Sequence, residues 1–102
     1  MEDITVTELK AKMDNGEDFL LIDVREPFEA EMFNIGGRLI PLGTLFDHLD
    51  ELEEYKDAEI VLHCRTGARS GNAKQILEMS GFTKARNLLG GLVAWQKTFE
   101  TP

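Results

Sequence analysis

A chain of 102 residues, 42% hydrophobic and 29% charged, has material for one compact domain with a modest core. Its formal net charge of −8 argues against nucleic acid and anionic membranes as partners, and no apolar stretch approaches the ~20 residues of a membrane helix. The acidic start Met1-Glu2-Asp3 lacks a signal-peptide core, and a single cysteine rules out an internal disulfide and fits a reducing compartment, so a cytoplasmic location is expected.

Ile4-Thr5-Val6 reads as a short first strand. Thr5 with Glu8 matches a capping box, and Leu9 and Met13 follow at helical spacing, which predicts a helix from about Thr7 to Asn15 stopped by Gly16. Phe19-Leu20-Leu21-Ile22-Asp23-Val24 is continuous rather than alternating in its apolarity, the pattern of a strand covered on both faces. Asp23 then falls near the strand's carboxyl end, and Pro27 opens a short helix in its first turn. Two roles stand for Asp23 and Arg25: catalytic groups, or an internal ion pair tying the loops together. The second is favoured, because a charge near a packed strand end needs a partner.

Gly36-Gly37 is a turn signal, and Leu39-Ile40 reads as a short strand ended by Pro41. Arg38, in that turn, screens an anionic substrate or is simply a solvated surface residue. Thr44 reads as an N-cap, with a helical stripe of Leu45, Leu49 and Leu52 running to about Tyr55 and an acidic outer face opposite it.

Glu59 to His63 is the next strand. It leads into Cys64-Arg65-Thr66-Gly67-Ala68-Arg69-Ser70 and then a helix carrying Ala73, Ile76 and Leu77, which ends near Gly81. The cysteine therefore sits between a strand end and a helix start, where open α/β sheets place their chemistry. Gly67 can take positive φ and Ala68 is small, so successive N–H groups of the loop can converge as an anion nest. With the helix N-terminus and the charges of Arg65 and Arg69, that environment favours a thiolate over a buried structural thiol. His63 precedes the cysteine directly, so the two side chains leave the strand on opposite faces; it is read as a hydrogen-bonded structural histidine, not a general base. His48 and His63 fall in no familiar ligand spacing, and neither a metal nor an organic cofactor is expected. Ala85 to Leu89 reads as a last strand, Gly90-Gly91 as a turn able to approach neighbouring loops closely, and Leu92, Trp95 and Phe99 as the face of a final helix.

The alternation of short apolar strands with helices implies an α/β fold: a parallel sheet with helices on both faces and right-handed crossovers, in one domain over residues 1–102.

Cys64 to Arg69 is Cys-x4-Arg. The segment His-Cys-Arg-Thr-Gly-Ala-Arg-Ser resembles the active-site loop of the rhodanese-like sulfurtransferases, whose common form is Cys-Arg-x-Gly-x-Arg. Tyrosine phosphatases have the longer His-Cys-x5-Arg, wide enough for a phosphate, whereas the shorter loop fits an outer sulfur atom. Leu-Ile-Asp-Val-Arg-Glu-Pro-Phe-Glu and the closing Gly-Phe-Thr-Lys-Ala-Arg-Asn-Leu-Leu-Gly-Gly-Leu-Val-Ala-Trp are similar to two further blocks of the family, so the resemblance runs from about Ile4 to Phe99. Between them the chain departs from the family, with Asn34 in place of its histidine and Gly36 in place of its proline.

The resemblance implies a single-domain rhodanese-like fold with a sheet of about five strands. It implies a thiosulfate sulfurtransferase in which Cys64 takes an outer sulfur from thiosulfate or a related small anionic donor and passes it to cyanide, a thiol or a protein. Arg65, Thr66, Gly67, Ala68 and Arg69 would bind the donor, with Asp23 and Arg25 as structural support. A sulfur-relay or binding module acting on a protein acceptor is the alternative, and a Cys-based phosphatase or arsenate reductase stands behind it.

Overall fold

The computed structural model describes residues 1–100. Four parallel strands, β1 (Leu20–Asp23), β2 (Arg38–Leu39), β3 (Ile60–His63) and β4 (Ala85–Asn87), make a sheet in the order β2-β1-β3-β4. The expected fifth strand is reduced to one parallel bridge between Ile4 and Leu88. The reason lies next door: Thr5 is already an N-cap. Its Oγ1 accepts from the Glu8 amide at 3.1 Å while the Glu8 carboxylate takes the Thr5 amide at 3.0 Å, so helix α1 (Val6–Asp14) starts before a strand can extend.

Strand alternation sorts the core into two layers. Ile22, Ile60 and Leu62 face one side with Ala73 and Leu77 of α3 (Ala68–Met79) and with Leu45 and Leu52. Leu21 and Val61 face the other with Leu9 of α1 and Leu92 and Trp95 of α4 (Gly91–Trp95). The sheet is thus covered on both faces, which is why β1 and β3 are almost unbroken runs of apolar residues. The short helix α2 (Pro27–Met32) buries no residue fully and lies over the loop end of the sheet.

The stretch expected as one α-helix after Thr44 is instead two 3₁₀ segments, Leu42–His48 and Asp50–Tyr55. Leu42, Leu45 and His48, then Leu49, Leu52 and Tyr55, recur every third residue and are all at least partly buried, a period suited to three residues per turn. Thr44 is not a cap; its hydroxyl donates back to the Pro41 carbonyl at 2.9 Å. Helix α3 ends as the sequence predicts. Gly81 takes φ +93°, the Phe82 amide donates to the Leu77 carbonyl and the Gly81 amide to that of Glu78, which is the Schellman pattern. The last apolar face changes winding after α4, continuing as a π-helical turn over Gln96–Glu100, with Trp95 and Phe99 edge to face at 4.8 Å.

Candidate active site

The loop between β3 and α3 wraps around the Cys64 sulfur. Gly67 occupies the left-handed region at φ +103°, and this places its N–H 3.1 Å from Sγ. One helical turn later the Ser70 amide donates to the same atom at 3.3 Å, and the Ser70 hydroxyl lies 3.3 Å from it. The residue is 1% exposed and shares the apolar layer of Ile22 and Leu77, so its carbon side is buried while its sulfur meets N–H groups. Burial alone pushes the thiol up. Hydrogen bonds from Ser70, through both hydroxyl and amide, and from the Gly67 and Thr66 amides outweigh it, and the net shift is down, toward thiolate.

The loop is held from behind by the glycine turn before α4. The Leu92 amide donates to the Cys64 carbonyl and the Val93 amide to the Arg65 carbonyl, both at 3.0 Å. That approach needs a glycine at 91: its φ is +58°, and a Cβ there would sit 2.5 Å from the Arg65 oxygen and 2.6 Å from the Cys64 oxygen.

The two loop arginines have different surroundings. Arg69 is half-buried and grips Glu29 of α2 in two parallel bonds of 2.7 and 2.8 Å. The Arg69 guanidinium, first, with the Glu26 amide and the charge of Arg25, holds the Glu29 carboxyl well below its usual range, at about 2, against the opposing effect of burial. Arg65 is exposed and has no carboxylate partner among the described residues. Thr66 and Ala68 are also exposed, Thr66 at the crest of the loop and Ala68 as the first residue of α3. Arg65 borders a cleft of about 360 Å³ whose walls include Phe28, Met32, Phe33 and Leu92, with Glu29 at its edge.

Asp23 and Arg25 form a buried pair. Three guanidinium bonds of 2.8 to 3.2 Å and the Arg25 amide reach the carboxylate, while the remaining guanidinium donors reach the carbonyls of Glu29 and Phe33. Arg25 thereby ties β1 to the middle of α2, at Glu29, and to its C-cap, Phe33.

His63 is buried and structural, as expected, but its hydrogen bonding is weaker than expected. It is paired in register with Asp23 and fully buried; neither ring nitrogen meets a partner in good hydrogen-bonding geometry, and a weak approach to the Gly36 backbone is what remains. Burial is the first cause that drives its pKa down to about 4, with Asp23 pulling the other way and Arg25 adding to the fall, so the ring is neutral near pH 7. By strand alternation it lies on the face opposite Cys64. Arg38 is exposed, 5.6 Å from the Tyr55 ring centroid. Asn34 builds the turn here: its Oδ1 accepts from the Gly36 amide at 2.9 Å and its Nδ2 donates to the Ala30 carbonyl. Among the described residues, no three His, Cys, Asp or Glu side chains are grouped to hold a metal ion, and no helix is long and apolar enough to cross a membrane.

Two partners of the loop are not evident from the motif. Glu29 lies 40 residues before Arg69, and its signal was its place in the helix after Asp23-Val24-Arg25. Asn87, at the end of β4, accepts from the Ser70 hydroxyl and donates to the Gly67 carbonyl at 3.1 Å. The signal available for it was a polar residue inside a buried strand.

A cysteine cradled by main-chain amides after an inner strand of a parallel sheet, in a loop of Cys-x4-Arg length, is the arrangement expected of the rhodanese-like class, and the comparisons agree. Residues 5–98 match the rhodanese-like domain, and the chain belongs to that family. It is 33% identical over 98 residues to a sulfurtransferase of Allochromatium vinosum, covering 95% of this chain and 90% of that protein. It is 38% identical over 98 residues to the probable adenylyltransferase/sulfurtransferase MoeZ of Mycobacterium tuberculosis, where 95% of this chain matches only 25% of the longer protein. The crystal structure of a rhodanese-like domain protein from Staphylococcus aureus superposes with a TM-score of 0.83 at 33% identity, covering 93% of this chain and 91% of that one.

Proposed function

We propose that the protein is a sulfurtransferase working through a persulfide on Cys64. The thiolate attacks the outer sulfur of thiosulfate; an S–S bond forms on the enzyme and the donor's S–S bond breaks, with sulfite leaving on its electron pair. The terminal sulfur of Cys64–S–S⁻ then passes to a thiophilic acceptor: cyanide gives thiocyanate, and a thiolate gives a new persulfide. Splitting the transfer this way is nucleophilic catalysis. The carrying observation is the pair of amides, Gly67 and Ser70, aimed at Sγ at 3.1 and 3.3 Å. They stabilise negative charge on sulfur without needing to reorganise. Arg65, in the loop and without a carboxylate partner among the described residues, meets the incoming anion, with Thr66 and Ala68 exposed around it. Arg69 acts with Glu29 to set the shape of the loop, and Asp23 and Arg25 support α2.

One observation favours an acceptor larger than cyanide. Phe28 and Met32, on the cleft wall, are 64% and 83% exposed, an apolar rim suited to a protein or organic thiol. Steady-state kinetics test the reading. Transfer from thiosulfate to cyanide should follow a double-displacement pattern and vanish in Cys64→Ser. Cys64-dependent hydrolysis of an aryl phosphate, with no sulfur transfer, would replace it by a phosphatase.

A further inference from the structure

The Ser70 hydroxyl has one proton and two neighbours that want it. Sγ of Cys64 lies 3.3 Å away and Oδ1 of Asn87 lies 2.5 Å away. Asn87 cannot be turned round to ease this, because its other end donates from Nδ2 to the Gly67 carbonyl, which can only accept. Oδ1 must therefore face Ser70. The backbone amide of Asn87 is in turn fixed by Asp3, whose Oδ1 it meets at 3.0 Å and which Lys74 holds at 2.7 Å. While Cys64 is a thiol, every group is satisfied by a one-way chain: S–H to Ser70 Oγ, Ser70 O–H to Asn87 Oδ1, Asn87 N–H to the Gly67 carbonyl. A thiolate has no proton to give and is the stronger acceptor, since hydrogen bonds to ionised groups are shorter and stronger.

We infer that Asn87 is a positioning residue that competes with the Cys64 sulfur for the Ser70 proton: the hydroxyl rests on Asn87 in the thiol and turns to sulfur in the thiolate. The only bond change is the loss of the S–H proton to solvent, and the Ser70 proton stays on its oxygen throughout. The Gly67 carbonyl also accepts from the Gly71 amide at 3.0 Å, so it keeps a partner if the Asn87 side chain is altered. Of the charged groups near this sulfur, Arg69, on α3 itself, is already engaged by Glu29, and Arg65, next to Cys64 in the chain, is exposed. Asp3, behind Asn87, is neutralised by Lys74.

The inference rests on Cys64 as the reactive sulfur of the proposed transfer, but its test needs no sulfur donor, so a failure of either is seen separately. The rate of Cys64 alkylation by iodoacetamide, followed against pH, reports the thiolate. Asn87→Asp keeps the shape, accepts more strongly, adds a negative charge and gives up the bond to the Gly67 carbonyl, as Asn87→Leu also does; its midpoint should rise by about one unit, an alkylation rate about tenfold lower at a fixed pH below it. Asn87→Leu has similar bulk and no acceptor, which frees the hydroxyl for sulfur; its midpoint should fall, with roughly a threefold faster rate at the same pH. A merely structural role would move both variants the same way. Should either variant fold poorly, the wild-type protein still decides. The Asn87 side-chain amide resonances should titrate with the alkylation midpoint and lose that dependence in Ser70→Ala. Parallel shifts of the two variants, no shift in either, or Asn87 resonances indifferent to Cys64 ionisation would overturn the inference.

Discussion

Arg69 and Glu29 lie 40 residues apart in the chain and meet in two parallel bonds of 2.7 and 2.8 Å, which join the start of α3 to α2. The pair fixes the far end of the cysteine loop against a helix that the Asp23–Arg25 pair fixes to the sheet. The conformation of the loop is thus set by residues well outside the motif.

Glu29→Gln should lower stability by about 1 kcal/mol at pH 7, discounted because the Arg69 side chain is about a third exposed. The sign with pH is fixed by the carboxyl held at about 2, below its usual 4.5. Stability from a lowered carboxyl is complete above about 4.5 and is lost as the pH falls through the folded value. Thermal unfolding from pH 7 to pH 3 should therefore show the wild type and Glu29→Gln converging in acid, while a constant gap would count against the pair.

His63 gives a second acid-side loss in a different window. Its folded value of about 4 lies below the usual 6.5, so protons favour the unfolded chain between them. Stability is complete above about pH 6.5 and falls toward pH 4, by up to about 3 kcal/mol. His63→Leu removes two ring nitrogens that have no well-formed hydrogen bond and should flatten this part of the stability curve at little cost near pH 7, because replacing a poorly satisfied buried polar group with an apolar one is often near neutral. Denaturant midpoints at pH 7 and pH 5 measure it.

Gly91→Ala should be costly. The left-handed backbone and the clash with the Cys64 and Arg65 carbonyls together point to at least about 2 kcal/mol, with the loop displaced and persulfide loading impaired. Gly16→Ala is the control. It has a similar φ of +64° with nothing near the added carbon, and should cost about 1 kcal/mol with no effect on Cys64.

Arg25→Leu should destabilise by about 3 kcal/mol, because it leaves the Asp23 carboxylate buried without its cation. Chemical denaturation would register this, and a change below about 0.5 kcal/mol would mean that the pair carries little of the link between β1 and α2.

What the sequence makes legible here is local. The cysteine loop, the Thr5 cap, the Gly81 stop and the two buried strands each depend on residues within a few positions of one another. The pairings that finish the site join distant residues: Glu29 to Arg69, and Asn87 to Ser70 across 17 positions. No periodicity announces them. The stripe of Leu45, Leu49 and Leu52 misled for another reason, since spacings of three and four suit an α-helix as well as a 3₁₀ turn, and only the added Leu42, His48 and Tyr55 separate the two. The poor hydrogen bonding of His63 is a property of packing, not of pattern.

The central claim is that Cys64 accepts and hands on sulfur, and the intact mass of the protein after incubation with thiosulfate tests it most directly. The wild type should gain the mass of one sulfur atom, lose it on addition of cyanide, and Cys64→Ser should gain none. An unchanged wild-type mass, or an adduct that survives in Cys64→Ser, would contradict it.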